Sequence, residues 1–281
     1  MPPPNTRTDQ WIRAFGPTSD RPAGIRLLCF PYAGGSASFY HPMRLAVGDA
    51  AEVFGVQYPG RQERSAEPAP TGIEALVDGV CAELKESTDR PLVFFGHGMG
   101  AVVAYEVARR LEQESGTAPL GLIASGSRAP GVLVEEILHR RDDAGLIAEV
   151  RVLSGKASSL LDDAGIRNMI LPTLRADYTA IETYRHSPGA ELACPVTAFV
   201  GDVDPRVQMD HAHAWSRHTT AAFDLKVFPG GHFYLAAQWW AVGEMVRACL
   251  TAFGRAAGCW PELPADFDPS LTIPHHLSDG A

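Results

Sequence analysis

Three glycines alternate within five residues, Gly96-His97-Gly98-Met99-Gly100, between an apolar run and a helical pattern. No other stretch of the chain restricts its fold as tightly. The preceding run, Leu92-Val93-Phe94-Phe95, is apolar at every position, as expected of a strand covered on both faces. Over Ala101–Leu111, Val102, Val103, Val107 and Leu111 recur near a 3.6-residue spacing while Glu106, Arg109 and Arg110 face elsewhere. A strand that enters a helix through so short a corner needs small residues on either side, so that the two backbones can approach. The pattern G-x-S-x-G answers that need where a nucleophile is raised on a strained turn. Gly96 and Gly100 hold its flanking positions, and Gly98 stands where a serine is expected. A phosphate loop would need G-x-x-x-x-G-K-[ST] and a dinucleotide loop G-x-G-x-x-G; neither spacing is present.

The rest of the chain repeats the alternation of short apolar runs with helical patterns, which predicts an α/β fold with a mostly parallel sheet flanked by helices. Strands are expected at Ile25–Phe30, Glu52–Tyr58, Leu92–Phe95, Leu120–Ser125, Pro195–Val200 and Leu225–Phe228, and helices at Ile73–Leu84, Ala101–Leu111 and Leu235–Phe253. Between the fourth and fifth of these strands, residues of about 130–190 show helical spacing only: Val134, Ile137 and Leu138, then Ile166, Met169 and Ile170, then Leu174, Tyr178 and Ile181. An insert of that size reads as a helical lid over a site, against the blander reading of an embellishment with no role there. With 281 residues, 46% of them hydrophobic, one domain over 21–258 is expected. Residues 1–20 and 259–281 are polar and proline-rich, and are expected to be loosely ordered.

Charge and composition remove several classes. The net charge is −9, so the basic footprint of a nucleic-acid binder is missing. No apolar run approaches the roughly 20 residues of a membrane span, and the N-terminus lacks the apolar core of a secretory signal. Cys29, Cys81, Cys194, Cys249 and Cys259 are odd in number and lack C-x-x-C spacing, as expected of reduced cytoplasmic thiols. His211 and His213, two residues apart, share no helix face, and no metal or organic cofactor is implied.

Three further pieces follow predicted strands. Phe30-Pro31-Tyr32-Ala33-Gly34-Gly35-Ser36 is a glycine-rich loop able to offer a backbone N–H to an oxyanion, although any loop after a strand can be glycine-rich. Gly201-Asp202-Val203-Asp204-Pro205 brings an acid to a strand end, where it can orient a histidine or simply make an Asp-Pro turn. Pro229-Gly230-Gly231-His232-Phe233 brings a histidine on a flexible loop. Nucleophile position, acid and histidine thus occur in the order used by α/β-hydrolases, each beyond a strand's carboxyl end, where open α/β sheets bind ligands.

These pieces, together with Tyr58-Pro59-Gly60-Arg61-Gln62-Glu63-Arg64, Ser125-Gly126-Ser127-Arg128-Ala129-Pro130 and Leu171-Pro172-Thr173-Leu174-Arg175-Ala176-Asp177-Tyr178, resemble the type II thioesterases in family order from about residue 25 to 253. Those are stand-alone α/β-hydrolases serving polyketide synthases and non-ribosomal peptide synthetases. The resemblance implies Asp204 and His232 as catalytic residues, Gly98 at the nucleophile position, and the N–H groups of Ala33 and Met99 as oxyanion donors. It further implies Tyr32, Arg61 and His97 as substrate-contacting residues, and an acyl or peptidyl carrier protein bearing phosphopantetheine as partner.

Gly98 departs from that family, because glycine offers no atom for attack. Three readings follow: an engineered inactive thioesterase; a natural homologue in which His232 and Asp204 act as a general base for non-covalent hydrolysis, elimination or cyclisation; or a non-catalytic acyl- or carrier-binding module. Ser36, Ser38 and His97 are the nearest side chains that could substitute, but Ser36 lies on the loop after the first strand and not at the turn, and Cys29 falls in an apolar strand. An acidic chain is not steered by net charge toward an acidic carrier. A local patch would have to serve, and His139-Arg140-Arg141 and the pair Arg61 and Arg64 are the candidates. Asp142 and Asp143 offer the first of these a plainer role as a solvated helix face.

Overall fold

The computed structural model describes residues 11–16, 24–85, 90–132, 134, 136–154 and 162–259. Its strands are β1 (Ile12–Ala14), β2 (Arg26–Phe30), β3 (Glu52–Val56), β4 (Leu92–His97), β5 (Gly121–Ser125), β6 (Val196–Gly201) and β7 (Phe223–Phe228). The helices are α1 (His41–Val47), α2 (Ile73–Leu84), α3 (Met99–Ser115), α4 (Asp143–Ser154), α5 (Ala164–Thr183), α6 (Met209–His213), α7 (Tyr234–Ala237) and α8 (Trp239–Ala256). One seven-stranded sheet runs β1-β3-β2-β4-β5-β6-β7, parallel throughout except for β1 against β3.

The central strands are apolar on both faces because helices cover both. Leu28, Phe30 and Phe94 join a core with residues of α2 and α3. Their neighbours Leu27, Cys29 and Phe95 alternate to the opposite face, into a core with residues of α1 and α8. Register then decides what meets at the strand ends: Gly96 lies opposite Phe30, and His97 opposite Ser125. This is the expected α/β-hydrolase architecture.

Differences from the sequence reading are local. Part of the segment expected to be loose, Ile12–Ala14, pairs with β3, and the N–H groups of Trp11 and Ile12 donate to the Glu83 carboxylate. A strand of three residues carries no readable period. Residues 1–10, 17–20 and 260–281 lie outside the described residues, so the expectation of loose ends is not addressed there. The helix expected over Leu235–Phe253 is two helices, since Gln238 leaves helical geometry at φ −136°.

The insert contains α4 and α5; α5 covers the expected spacing over 166–181, α4 contains none of the residues that showed it, and only part of the expected stripe is buried. Leu171, Leu174 and Tyr178 pack with Leu138 and Leu146, while Met169 and Ile137 remain more than half exposed. Pro172 lies inside α5, nine residues after its Asp163 cap, whose carboxylate accepts from the Ile166 N–H.

The β4-to-α3 corner brings backbone closer to a glycine than any other place among the described residues. A methyl group on Gly100 would stand 2.1 Å from the Phe30 carbonyl oxygen, and one on Gly96 would stand 2.3 Å from the Gly100 oxygen. Both obstacles are backbone and neither can rotate away. Gly100→Ala should therefore destabilise the protein by about 1–3 kcal/mol or more, as overpacking does. The urea midpoint, compared with that of Gly72→Ala, where a Cβ meets nothing within 4 Å and φ is −142°, measures the difference.

Candidate active site

Gly98 occupies the apex of the corner with φ 54° and ψ −123°. Its N–H donates to the Ser125 carbonyl at 2.9 Å, and its own carbonyl accepts from Ala101 at 3.1 Å. A Cβ placed on Gly98 would lie 3.4 Å from Tyr32 Cβ and 3.7 Å from His232 Nε2, both ordinary contacts. The position therefore has room for a side chain, although the positive φ would strain one.

β6 and β7 bring the acid and the histidine to the same rim. Their following loops are stitched together: Asp202 N–H donates to Phe228 O, Gly230 N–H to Asp202 Oδ1, and Val203 N–H to Gly230 O. Asp202 thus holds the histidine loop, and Asp204 faces the imidazole. Asp204 Oδ2 accepts from His232 Nδ1 at 2.9 Å, while its Oδ1 accepts from the N–H groups of Arg206 and Val207. A carboxylate only accepts, so the proton sits on Nδ1 and Nε2 turns its lone pair toward Gly98. Asp204 is fully buried and His232 nearly so.

Ala33 and Met99 line the same pocket. Met99 opens α3, so its N–H has no partner within the helix. The cavity, about 180 Å³, runs from Gly98 and His232 beneath Val134, Leu153, Tyr178 and Ile181 of the insert. Charged groups pin its rim. Arg206 pairs with Glu136 and with Glu149 of α4, and Arg128 also pairs with Glu136. Burial works against the Glu136 carboxylate, yet Arg128 and Arg206 together hold it below its ordinary range.

The three residues expected to contact substrate divide. Tyr32 lines the cavity and packs edge-on against Phe233. His97 is fully buried beneath it, with Nδ1 2.8 Å from Ser125 Oγ, which lies 2.6 Å from the Tyr234 hydroxyl. Burial, and secondly the nearby His232 ring, push the His97 pKa well below the ordinary histidine value, so it is neutral near pH 7. Arg61 is not among the residues lining the cavity; it donates to both oxygens of the buried Asp177 carboxylate.

Arg61 and Arg64 are therefore not a docking patch. Both are buried, and Arg64 pairs with Glu67 over the Trp11 ring. Their apolar setting follows from a loop that folds inward, which a charge count does not reveal. In the other candidate patch His139 pairs with Glu182, while Arg140 and Arg141 are exposed. The Asp143 carboxylate pairs with Arg175. Cys29 is buried with its thiol pushed up by burial, the opposite of a reactive thiolate.

Sequence reasoning gave no role to Ser125, Tyr234, Arg206 or Asp177. Asp177 did carry a signal: an acid amid the helical stripe Leu174, Tyr178 and Ile181 must find a partner if that stripe is buried.

A model of the thioesterase domain matches residues 25–251, spanning β2 to β7, the insert and all three site positions. The chain belongs to the thioesterase family. It is 45% identical over 241 residues to a probable cadicidin biosynthesis thioesterase of Streptomyces griseus, covering 86% of this chain and 66% of that one. It is 44% identical over 238 residues to thioesterase PikA5 of Streptomyces venezuelae, covering 84% of each. Among solved structures it resembles the type II thioesterase BorB of the borrelidin biosynthetic cluster, at 41% identity and a TM-score of 0.80, over 88% of this chain and all of that one. Among the described residues, no helix is long and apolar enough to cross a membrane.

The neutral state of His97 has a consequence for this thioesterase-family chain. A histidine whose folded pKa is depressed binds its proton more readily when unfolded, so stability rises with pH until the unfolded group is neutral. His218, lowered to about 4 chiefly by burial, acts in the same sense. The urea midpoint should fall as pH drops below about 6.5, and His97→Asn should remove part of that fall.

Proposed function

We propose that this chain binds acyl thioesters presented on the phosphopantetheine arm of a carrier protein in polyketide or non-ribosomal peptide assembly, and that it has the equipment to hydrolyse them except for the nucleophile. One observation carries the reading. His232 Nε2, backed by Asp204, points at the place where a side chain on Gly98 would stand, at 3.7 Å from its Cβ. A module that only binds has no use for that aim.

The thioester carbonyl would lie over Gly98 with its oxygen toward the N–H groups of Met99 and Ala33. Without a hydroxyl at position 98, the attacking oxygen comes from water. Nε2 takes a water proton as the C–O bond forms, and the tetrahedral oxyanion is held by the two N–H groups. Collapse breaks the C–S bond, the thiolate leaves with the proton from His232, and acid and free phosphopantetheine thiol result. Asp204 fixes the imidazole tautomer throughout. No covalent acyl-enzyme forms. Loss of the serine from such a triad costs about 10⁶ in kcat, leaving roughly 10³–10⁴ over the uncatalysed reaction.

Gly98→Ser tests this directly, with a short acyl N-acetylcysteamine thioester and intact-mass spectrometry. The serine should raise turnover by several orders of magnitude and trap acyl mass on the peptide spanning residues 96–100. It should also cost about 1–3 kcal/mol of stability, because serine must adopt the positive φ of Gly98. His232→Ala should abolish turnover in both backgrounds. If Gly98→Ser forms no acyl-enzyme and gains no turnover, the thioesterase reading of the site fails.

A further inference from the structure

The Arg61–Asp177 pair has no place in the steps above, yet it is the most deeply buried ion pair beside the site. Arg61 Nη1 and Nη2 donate to Asp177 Oδ2 and Oδ1 at 2.8 and 2.9 Å, with side-chain exposures of 6% and 0%. Burying two charges costs more than their attraction returns unless geometry is good and the remaining lone pairs and N–H groups find partners. Here they do. Asp177 Oδ2 also accepts from the Gly34 N–H at 2.7 Å, Arg61 Nη1 also donates to the Gly35 carbonyl, and Arg61 Nε donates to the Pro59 carbonyl.

Two of those partners, Gly34 and Gly35, directly follow Ala33. Gly34 has φ 81°, and a methyl group on it would stand 2.9 Å from Leu174 Cδ1, one turn before Asp177 on α5. On the same stretch of α5, Thr173 Oγ1 donates to the Gly60 carbonyl at 2.6 Å. Thus α5, nominally part of the lid, touches the loop of residues 33–35 through a charge-assisted hydrogen bond and a close steric fit. It also holds the neighbouring loop that carries Arg61.

We infer that Arg61 and Asp177 are positioning residues for the oxyanion site: α5 sets the direction of the Ala33 N–H by gripping Gly34. Asp177 is the grip, since its carboxylate fixes the peptide plane one residue beyond Ala33. Arg61 neutralises it, because a bare carboxylate there would repel the negative charge that develops on the substrate oxygen. α5 is in this sense a strut of the site. The inference rests on the thioesterase reading for its catalytic consequence, but not for the grip itself.

The grip is read in the chain as it stands by exchange of the Gly34 amide. Arg61→Met/Asp177→Leu exchanges the ion pair for apolar side chains of similar size, a kind of replacement that buried pairs often tolerate. The Gly34 amide should exchange at least tenfold faster in that double variant, while amides of β4 keep their protection. Equal Gly34 exchange in parent and double variant overturns the inference, whatever the enzyme does.

The consequence is read in the Gly98→Ser background. Loss of one oxyanion donor costs on the order of 10²–10³ in kcat, so the double variant should lose about 10²-fold with KM changed less than threefold. Affinity for an alkyl boronic acid, whose tetrahedral adduct carries the oxyanion, should fall in step, while a non-reactive thioether analogue binds as before. Arg61→Met alone, leaving an uncompensated carboxylate, should lose more kcat than the double variant. A lowered melting temperature with kcat per titrated serine and boronic acid affinity unchanged would mean a merely structural pair and overturn the inference. Absence of any turnover in Gly98→Ser itself, by contrast, strikes the thioesterase reading and leaves the exchange result standing.

Discussion

The structure depends on a single steric constraint, the corner at which β4 becomes α3. There the backbone of the incoming strand, the first turn of the helix and the end of β2 share one space, and the Phe30 carbonyl packs where any side chain on residue 100 would stand. Only glycine satisfies that contact. Once the corner is made, α3 must run back along the sheet, its first N–H points outward at the sheet's carboxyl edge, and residue 98 is lifted above it. Every other part of the site is arranged around that raised point.

What surrounds the point is polar and buried, and most of it is paired, with His97 Nε2 a buried exception. Parallel register puts His97 beside Ser125, and the chain from His97 through Ser125 to Tyr234 ties β4, β5 and the start of α7 together beneath the His232–Asp204 pair. His232 and Asp204 come from adjacent loops bound to each other through Asp202. On the opposite side, Arg206 links the acid loop to α4 while Asp177 links α5 to the loop after β2. The insert is therefore attached to the site at two charged points, beside residues proposed to act as base and as oxyanion donor.

Much of this was legible beforehand, and for identifiable reasons. Strands such as Leu92–His97 and helices such as Ile73–Leu84 carry their period in a few adjacent residues, and local pattern suffices for them. Glycine at positions 96, 98 and 100 announces a corner because few other constraints demand that spacing. Asp204 and His232 were legible as candidates because each follows a strand end. The edge strand Ile12–Ala14 was not, since three residues show no period and β3 supplies its pairing. The buried face of α5 was legible only in part: Leu174 and Tyr178 are buried as their spacing suggests, but Met169 fits the same spacing and faces outward, because the partners of the helix come from residues 138–146.

The clearest divergence concerns charge. Arg61, Arg64 and Asp177 look in the sequence like surface residues, and the structure buries all three. A charge is written in one residue, but its energy depends on what lies within a few ångströms, and Arg61 meets Asp177 across 116 positions of chain. The sequence by itself determined the strand–corner–helix unit, the order of the site residues and the absence of a nucleophile at Gly98, because each is a property of contiguous residues. Only the tertiary structure decided which arginines are buried against carboxylates and which helix grips the loop of residues 33–35. Those are properties of contacts, which form only when distant segments are folded together.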